Sequence, residues 1–334
     1  MSDRRIYACL SRQHLDLMFT REAQERLAAL GPLDGATDAS VVEPPEGLGK
    51  DYDAVITSWS TGRDHPERFV GSRLGLLIHS TGSIRPVAPR MLLEQGVRVA
   101  QGGVSPMARA VAECAVGLTL MQLRHLHLYD RQLQASRDWG ASRTPDHGLS
   151  IPGRQFGIIS LSRVGWHYVD MIRGLGAKTI KAYDPYADPE RARENGIELV
   201  GLDELFSVSD VVAVHAPTTD ETRGMIGKEQ LALLADDSVV INTARSAVID
   251  TDALLAELTS GRLRAGLDVF DVEPLPEDSP FYGLPNVIVL PHVAGATVDD
   301  RYEQGNVVVA ELERYFAGEP LQHEVTLEAY DHLA

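Results

Sequence analysis

The stretch FGIISLSRVG, residues 156–165, contains the pattern that decides the fold. Its first half is a short apolar run typical of a buried strand, and the residues that follow have the spacing of a helix. A dinucleotide-binding fold places its glycine-rich phosphate turn at such a junction. Here the three positions that such a turn fills with glycine are Ser160, Ser162 and Gly165. On its own this motif is weak, because a strand, turn and helix with one glycine also occur in folds that bind no nucleotide.

The three turn positions have different physical tasks. The first allows the tight turn, the second lets the backbone approach the pyrophosphate, and the third lets helix and strand pack closely. A serine forced into a left-handed backbone costs about 1–2 kcal/mol. The helix N-terminus nevertheless favours an anion, and the Ser162 hydroxyl could itself donate to a phosphate oxygen. We therefore expect a turn that works but binds its cofactor less tightly.

Asp184 supports the nucleotide interpretation. It ends the next predicted strand, in KAYDPY at residues 181–186. A carboxylate at this place accepts hydrogen bonds from the ribose hydroxyls of NAD and repels a 2′-phosphate. The sequence thus favours NAD (NADH) as cofactor over NADP. The alternative is that Asp184 is only a turn residue before Pro185.

The rest of the chain alternates short β-rich runs with helical patterns, which indicates an α/β fold with parallel sheets. The tail at 321–334 is acidic, and we expect it to be loosely ordered. Strands are predicted at 5–10, 53–59, 74–80, 154–160, 179–184, 210–217, 237–244, 264–270 and 286–292, and helices at 21–30, 105–129, 164–175 and 297–317.

Composition limits the classes of partner. The chain has 334 residues and a formal net charge of −17, which argues against nucleic acid or an anionic membrane surface as partner. Its two cysteines, Cys9 and Cys114, make neither a disulfide framework nor a metal site. The apolar runs are far shorter than the roughly 18 residues that span a bilayer, and the start does not resemble a signal peptide. We expect a cytoplasmic protein without a metal.

Three predicted strands end in polar residues that suit one reaction. Arg245, Glu273 and His292 follow the strands near 240, 267 and 289. Because ligands bind at the carboxyl ends of strands in an open sheet, these side chains are expected to converge. Reduction of a 2-keto acid needs a proton for the carbonyl oxygen, which a histidine beside a carboxylate can supply. An arginine can hold the substrate carboxylate with two hydrogen bonds.

Each of these residues also has a simpler interpretation. Arg245 could form a surface ion pair, Glu273 could lie in a solvated loop, and His292 could cap a strand. Their joint position at strand ends makes the chemical interpretation the better one. We expect His215 to pack within the nucleotide-binding unit, and the remaining histidines of interest to be structural: His79, His125 and His127.

The sequence resembles the D-isomer-specific 2-hydroxyacid dehydrogenase family. The similarity is close from about 150 to 297 and looser from 75 to 125. It is carried mainly by NTARSAVIDTDALLAELTSGRLRAGLDVFDVEPLP at 242–276 and VIVLPHVAGAT at 287–297. The weaker match is GVRVAQGGVSPMARAVAECAVGLTL at 96–120.

This resemblance implies two doubly wound α/β domains, a flavodoxin-like substrate domain at 1–115 plus 298–334 and a Rossmann-type NAD-binding domain at 116–297. It also implies a homodimer. By the same resemblance His292 is the proton donor, Glu273 its partner and Arg245 the carboxylate binder. The implied substrate contacts are Thr81, Gly82 and Ser83 together with Arg245 and His292. The implied cofactor contacts are Ser162, Arg163, Val164, Gly165, Asp184, Pro217, Thr222, Asn242, Thr243, Ala244 and Asp268, the last of which would hold the nicotinamide carboxamide.

The sequence departs from the family pattern in three places. Serines replace two turn glycines, Arg245-Ser246-Ala247 replaces an Arg-Gly-Gly-like run, and Ile84-Arg85 stands where members commonly carry an aspartate. The first hypothesis is an NAD-dependent enzyme that interconverts a small anionic D-2-hydroxy acid and its 2-keto acid. The alternative is a catalytically weak NAD(H)-binding relative that acts as a sensor or scaffold. Formate oxidation fits poorly, because that branch has an amide where Glu273 stands. The identity of the acid and the direction of flux stay open.

Overall fold

Parallel strands form an open sheet in each of two units of the chain. The computed structural model describes residues 4–102, 104–143 and 148–330. One unit comprises Met1–Met107 and Ala296–Ala334, and the other Ala108–Gly295. The strands are β1 (Ile6–Ser11), β2 (Leu33–Thr37), β3 (Ala54–Thr57), β4 (Leu76–His79), β5 (Arg98–Gln101), β6 (Gln155–Ile159), β7 (Thr179–Tyr183), β8 (Glu198–Leu199), β9 (Val211–Val214), β10 (Val239–Asn242), β11 (Arg264–Leu267) and β12 (Val287–Val289).

The order of the strands confirms the predicted fold class. In the first unit the order is β2-β1-β3-β4-β5, which is that of flavodoxin-like sheets. In the second unit the order is β12-β11-β10-β9-β6-β7-β8, so that β6 lies at the point where the sheet reverses its winding. Every pairing between two of these strands is parallel. This is the Rossmann arrangement, in which ligands bind beyond the carboxyl ends of the central strands.

Helices cover the sheets and connect the strands. They are α1 (Arg12–Met18), α2 (Arg21–Leu30), α3 (Leu48–Asp51), α4 (Arg90–Glu94), α5 (Val104–Leu123), α6 (Leu126–Ser136), α7 (Arg163–Gly174), α8 (Pro189–Glu194), α9 (Leu202–Val208), α10 (Lys228–Leu233), α11 (Thr251–Thr259), α12 (Val298–Ala317) and α13 (Leu327–Tyr330). Within the described residues, no helix has the length and apolarity needed to cross a lipid bilayer.

The central strands of the second unit are buried on both faces. Along β9, Val211 and Ala213 pack into one apolar cluster and Val212 and Val214 into the other. This alternation follows from the two-residue period of a strand. It explains why the strands read as continuous apolar runs, which is typical of parallel sheets between two helical layers.

The single helix predicted at 105–129 is wrong, because it ends after Leu123 and a new helix begins at Leu126. His125 between them has a left-handed backbone with φ of 56°. Its ring contacts the buried guanidinium of Arg264, whose Nε donates to the Gln122 side chain. A tertiary contact with β11 therefore interrupts a pattern that is helical in sequence.

The tail is more ordered than expected as far as residue 330. The buried carboxylate of Glu311 accepts hydrogen bonds from the backbone of Gln322 and His323. The backbone of Val325 donates to Val99 on β5, at 2.8 Å. The Tyr330 hydroxyl donates to Ala88 O, also at 2.8 Å. These bonds fix the tail against the first sheet despite its polar composition.

The packing of α12 against the end of α1 can be tested at a position where the two backbones lie close together. Gly305 lies so near Met18 that an added Cβ would be 2.1 Å from the Met18 carbonyl oxygen. We expect Gly305→Ala to lower the free energy of unfolding by about 2–3 kcal/mol, because the backbones must separate. Urea unfolding measures this change. Gly117→Ala is the matched control, because a Cβ added there would have no atom of another described element within 4 Å. Equal effects of the two variants would contradict the packing.

Candidate active site

The turn between β6 and α7 accommodates serine by a left-handed backbone. Ser160 has φ of 74°, in the region that normally favours glycine. Its backbone N–H donates to Tyr183 O at 2.9 Å, which connects the turn to the end of β7. Gly165 then packs so closely that an added Cβ would lie 2.2 Å from the Ser160 carbonyl oxygen. The helix therefore starts directly against the strand, with the backbone of Arg163 and Val164 in its first turn.

Ser162 is the N-cap of α7. Its hydroxyl accepts a hydrogen bond from the backbone of Gly165 at 3.3 Å and donates to His215 O at 2.9 Å. A serine hydroxyl has one proton, and here that proton is used within the protein. The structure therefore gives Ser162 a capping role and not the free hydroxyl that donation to a phosphate would need.

Asp184 connects the turn with the loop that follows β7. One carboxylate oxygen accepts from the backbone of Leu161 at 2.8 Å and from the Ser160 hydroxyl at 3.3 Å. The other accepts from the backbone of Tyr186 at 2.9 Å. These bonds stabilise the strained Ser160 and hold the carboxylate at the carboxyl end of β7, where a ribose would meet it.

The loop after β9 is braced by its own threonines. The Thr222 hydroxyl donates to Pro217 O at 2.6 Å and accepts from the backbone of Thr219 at 2.8 Å. At the start of this loop His215 is buried against the Tyr168 ring, 5.0 Å between ring centres. Burial lowers the pKa of His215 to about 3, so the imidazole is neutral. Neither ring nitrogen has a hydrogen-bond partner among the described residues.

The end of β10 shapes the loop that contains Arg245. The Asn242 side chain accepts from the backbone of Ala244 and donates to Arg245 O, both at 3.0 Å. Thr243 is 5% exposed, and its hydroxyl is buried without a partner in the described part of the chain. Burial lowers the pKa of the Arg245 guanidinium, and the charge of Glu273 opposes this shift. Arg245 and Glu273 therefore lie close enough to interact electrostatically.

Glu273 and His292 form a direct pair. The distance from His292 Nδ1 to Glu273 Oε2 is 2.6 Å, and half of the histidine side chain is exposed. The other oxygen of Glu273 accepts from the backbone of Phe270 at 2.9 Å. The backbone of Phe270 thus fixes the Glu273 carboxylate, and the carboxylate orients the His292 imidazole. Because Nδ1 faces Glu273, the other ring nitrogen, Nε2, is the one that can contact a ligand.

Asp268 holds the loop that contains His292. It is 1% exposed, and its two oxygens accept from the backbone of Val293 and Ala294, each at 2.8 Å. Burial raises the pKa of Asp268, and these bonds oppose that shift. His292 itself has φ of 54°, a strained value for a residue with a Cβ. Sequence reasoning missed this bracing role, which no local pattern in the sequence indicates.

A cavity of about 600 Å³ borders the Glu273–His292 pair in the same unit. Its remaining walls are mostly apolar and were not identified from the sequence. They are formed by Phe270, Pro274, Leu275, Tyr282, Val289, Leu290 and Pro291.

The turn that carries Thr81, Gly82 and Ser83 follows β4 in the first unit. Its shape is fixed by buried His79, whose Nε2 lies 2.8 Å from the Thr81 hydroxyl and whose Nδ1 lies 3.0 Å from the Thr57 hydroxyl. Burial lowers the pKa of His79 to about 3, so this ring is also neutral. Gln101 donates to the Gly82 carbonyl. The other site candidates all belong to the second unit.

The second unit has the features that a nicotinamide dinucleotide requires. Gly165 lets the first turn of α7 pack against the end of β6, so that the helix N-terminus, which favours phosphate, lies at the turn. Asp184 lies at the end of β7, and the buried Thr243 hydroxyl lacks a partner at the end of β10. These residues fit the two ends of such a cofactor, and Asp268 accepts hydrogen bonds from the loop that contains His292.

Known proteins show the same organisation. The family model of the D-isomer specific 2-hydroxyacid dehydrogenase NAD binding domain matches residues 116–294. A D-3-phosphoglycerate dehydrogenase of Mycobacterium bovis is 37% identical over 268 residues, which are 80% of this chain and 50% of that protein. A glyoxylate reductase of Korarchaeum cryptofilum is 33% identical over 216 residues, 64% of each chain.

A solved structure extends the similarity to both units. The NADPH-dependent glyoxylate/hydroxypyruvate reductase of Sinorhizobium meliloti, in complex with NADP and malonate, has a TM-score of 0.78 and 25% identity, and the match covers 98% of each chain. The chain spans about half the length of the curated phosphoglycerate dehydrogenases it matches. From the matched domain and the extent of these similarities, the chain belongs to the D-isomer specific 2-hydroxyacid dehydrogenase family.

Proposed function

We propose that this chain is an NAD-dependent oxidoreductase that interconverts a D-2-hydroxy acid and its 2-keto acid. The observation that carries the proposal is the 2.6 Å contact between His292 Nδ1 and Glu273 Oε2, with the charge of Arg245 beside it. A guanidinium, a carboxylate and an imidazole are the groups that this reaction needs. When bound, the nicotinamide supplies or accepts the hydride.

His292 acts as the proton donor in reduction. Its Nδ1 faces Glu273, so the proton that moves is at Nε2, which passes it to the carbonyl oxygen of the keto acid. Glu273 stabilises the charged imidazole and fixes its orientation, because its other oxygen is held by Phe270 N. In oxidation the same Nε2 takes the proton from the substrate hydroxyl.

Arg245 binds the substrate carboxylate. Its guanidinium is partly buried, which lowers its pKa, and a carboxylate ligand would offset this cost of burial. The backbone of Thr81, Gly82 and Ser83 is proposed as a second carboxylate contact in the substrate domain, formed by the ends of the chain. Asp268 positions the histidine loop in addition to its expected contact with the nicotinamide carboxamide.

We propose NAD over NADP, because the Asp184 carboxylate stands where a 2′-phosphate would lie. Arg163, Val164, Gly165, Pro217, Thr222 and Asn242–Ala244 complete the proposed cofactor site, with Ser162 contributing as cap. The related structure of the Sinorhizobium meliloti reductase contains NADP, so the choice of cofactor needs a direct test. The small anionic substrate is of the class named for the relatives, which includes phosphoglycerate, glyoxylate and hydroxypyruvate. We also propose that the chain forms a homodimer, which the resemblance to the family implies.

The competing proposal is a catalytically weak NAD(H)-binding relative that acts as a sensor or scaffold, and it rests on the serines of the turn. Ser160 is held by Asp184 and Ser162 caps α7, so both serines have stabilising bonds. These contacts support a functional cofactor turn, which both proposals need. The Arg245, Glu273 and His292 set, with its direct Glu273–His292 contact, is what favours the enzyme.

Arg245→Ala tests carboxylate binding. We expect kcat/KM with a 2-keto acid and NADH to fall by about 100- to 1,000-fold, because a charged bidentate partner is lost. Steady-state assays of NADH oxidation over a panel of keto acids measure it. Arg193→Ala, at an exposed position on α8 of the same unit, is the control. A variant that retains near-normal kcat/KM would refute the role of Arg245.

Glu273→Gln tests whether the charge of Glu273 assists His292 in proton transfer. The amide can still accept from Phe270 N but carries no charge, so we expect kcat to fall by about 100-fold while the Kd for NADH stays unchanged. Initial rates and fluorescence titration measure the two quantities. Exposed Glu277→Gln is the control. An unchanged kcat would remove Glu273 from the mechanism.

Ser162→Ala and Ser162→Gly separate capping from phosphate binding. We expect alanine to lower the free energy of unfolding by about 1 kcal/mol and glycine by only a few tenths. The Kd for NADH should change less than about threefold in both variants, because the hydroxyl proton is already donated to His215 O. A loss of affinity of about tenfold would show instead that the hydroxyl is a phosphate ligand.

A further inference from the structure

We infer that Tyr186 and Glu221 form a polar strap across the adenosine end of the cofactor crevice, and that Glu221 acts with Asp184 to exclude a 2′-phosphate. The inference rests on the proposed function, since it places the adenosine beside Asp184. It adds two specificity-determining residues to the single carboxylate that the sequence indicates.

The strap spans the strand that begins the phosphate turn. In the sheet β6 lies between β7 and β9. Tyr186 belongs to the loop after β7 and Glu221 to the loop after β9. Strands are spaced by about 4.8 Å, so these loops start about 10 Å apart. The Tyr186 hydroxyl nevertheless donates to Glu221 Oε2 at 2.5 Å. Their side chains therefore meet above the carboxyl end of β6, where a dinucleotide would lie.

Polar contacts, and not packing, determine the position of Tyr186. The residue is 78% exposed, although a tyrosine ring would gain from burial. Its backbone N–H donates to Asp184 Oδ1 at 2.9 Å, and its hydroxyl is held by Glu221. At the other end, Thr219 and Thr222 brace the loop that carries Glu221. Both ends of the strap are thus anchored.

The charges around the strap are negative. The hydrogen bond and charge of Glu221 raise the pKa of the Tyr186 hydroxyl, and Asp184 adds to this effect. The tyrosine therefore stays a donor at neutral pH, and both carboxylates act on the same hydroxyl. Arg223 follows on the same loop, but none of the ion pairs found among the described residues joins it to either carboxylate. A 2′-phosphate beside Asp184 would thus face a second carboxylate, which is held in place by Tyr186.

Binding titrations of NADH and NADPH test the inference without turnover. We expect Glu221→Gln to tighten NADPH binding by about fivefold and to leave NADH binding within about twofold, because one repulsive charge at a distance of several ångströms is removed. Tyr186→Phe removes the hydrogen bond that holds the Glu221 carboxylate in position. We therefore expect it to lower the ratio of NADH affinity to NADPH affinity by at least about twofold. The control is Glu229→Gln, which removes one exposed charge on α10 of the same unit.

The outcomes separate this inference from the proposed function. If NADH binds and the affinity ratio is the same in the wild type and in Glu221→Gln, the strap has no role in specificity. The same conclusion follows if Glu229→Gln changes the ratio as much as Glu221→Gln. If neither nucleotide binds to the wild type, both the proposed function and the inference are wrong. Because the interaction is electrostatic and partly exposed, the expected difference should shrink in about 1 M salt.

Discussion

The two hydrogen bonds from Val293 and Ala294 to the buried Asp268 carboxylate are the constraint on which the candidate site depends. They hold His292 in a left-handed backbone that would otherwise relax. In that conformation the imidazole faces Glu273, which Phe270 N holds from the other side. The chemistry therefore rests on backbone groups, and a buried carboxylate without these bonds would be costly.

Asp184 has a similar organising role at the cofactor end. Its carboxylate joins the turn after β6, the loop after β7 and, through Tyr186, the loop after β9. The same group that would bind a ribose thus stabilises Ser160, a non-glycine residue at a strained position. This coupling explains how Ser160 can replace a turn glycine without loss of the turn, and Ser162 is accommodated as the N-cap of α7. It also means that changes at Asp184 would affect turn geometry and cofactor choice together.

The sequence predicted those features that follow from the local pattern of apolar and polar residues along the strands. The parallel sheets, and the polar residues at the ends of β10, β11 and β12, could be predicted because buried strands are continuous apolar runs and ligands lie at their carboxyl ends. The break at His125, the anchored tail and the bracing by Asp268 could not, because each depends on partners far away in sequence. The Tyr186–Glu221 contact was missed for the same reason, since its residues are 35 positions apart.

The return of α12 to the first sheet makes one unit discontinuous in the chain. Val308, Val309 and Leu312 share an apolar cluster with Ile6 and Ile56. During synthesis the amino-terminal strands therefore leave the ribosome long before the helix that completes their core. The second unit, in contrast, is one uninterrupted segment. Domains fold as units during translation. The second unit is therefore complete before α12 is made and can fold first. The first sheet keeps one face uncovered, where chaperones can bind, until α12 has been synthesised.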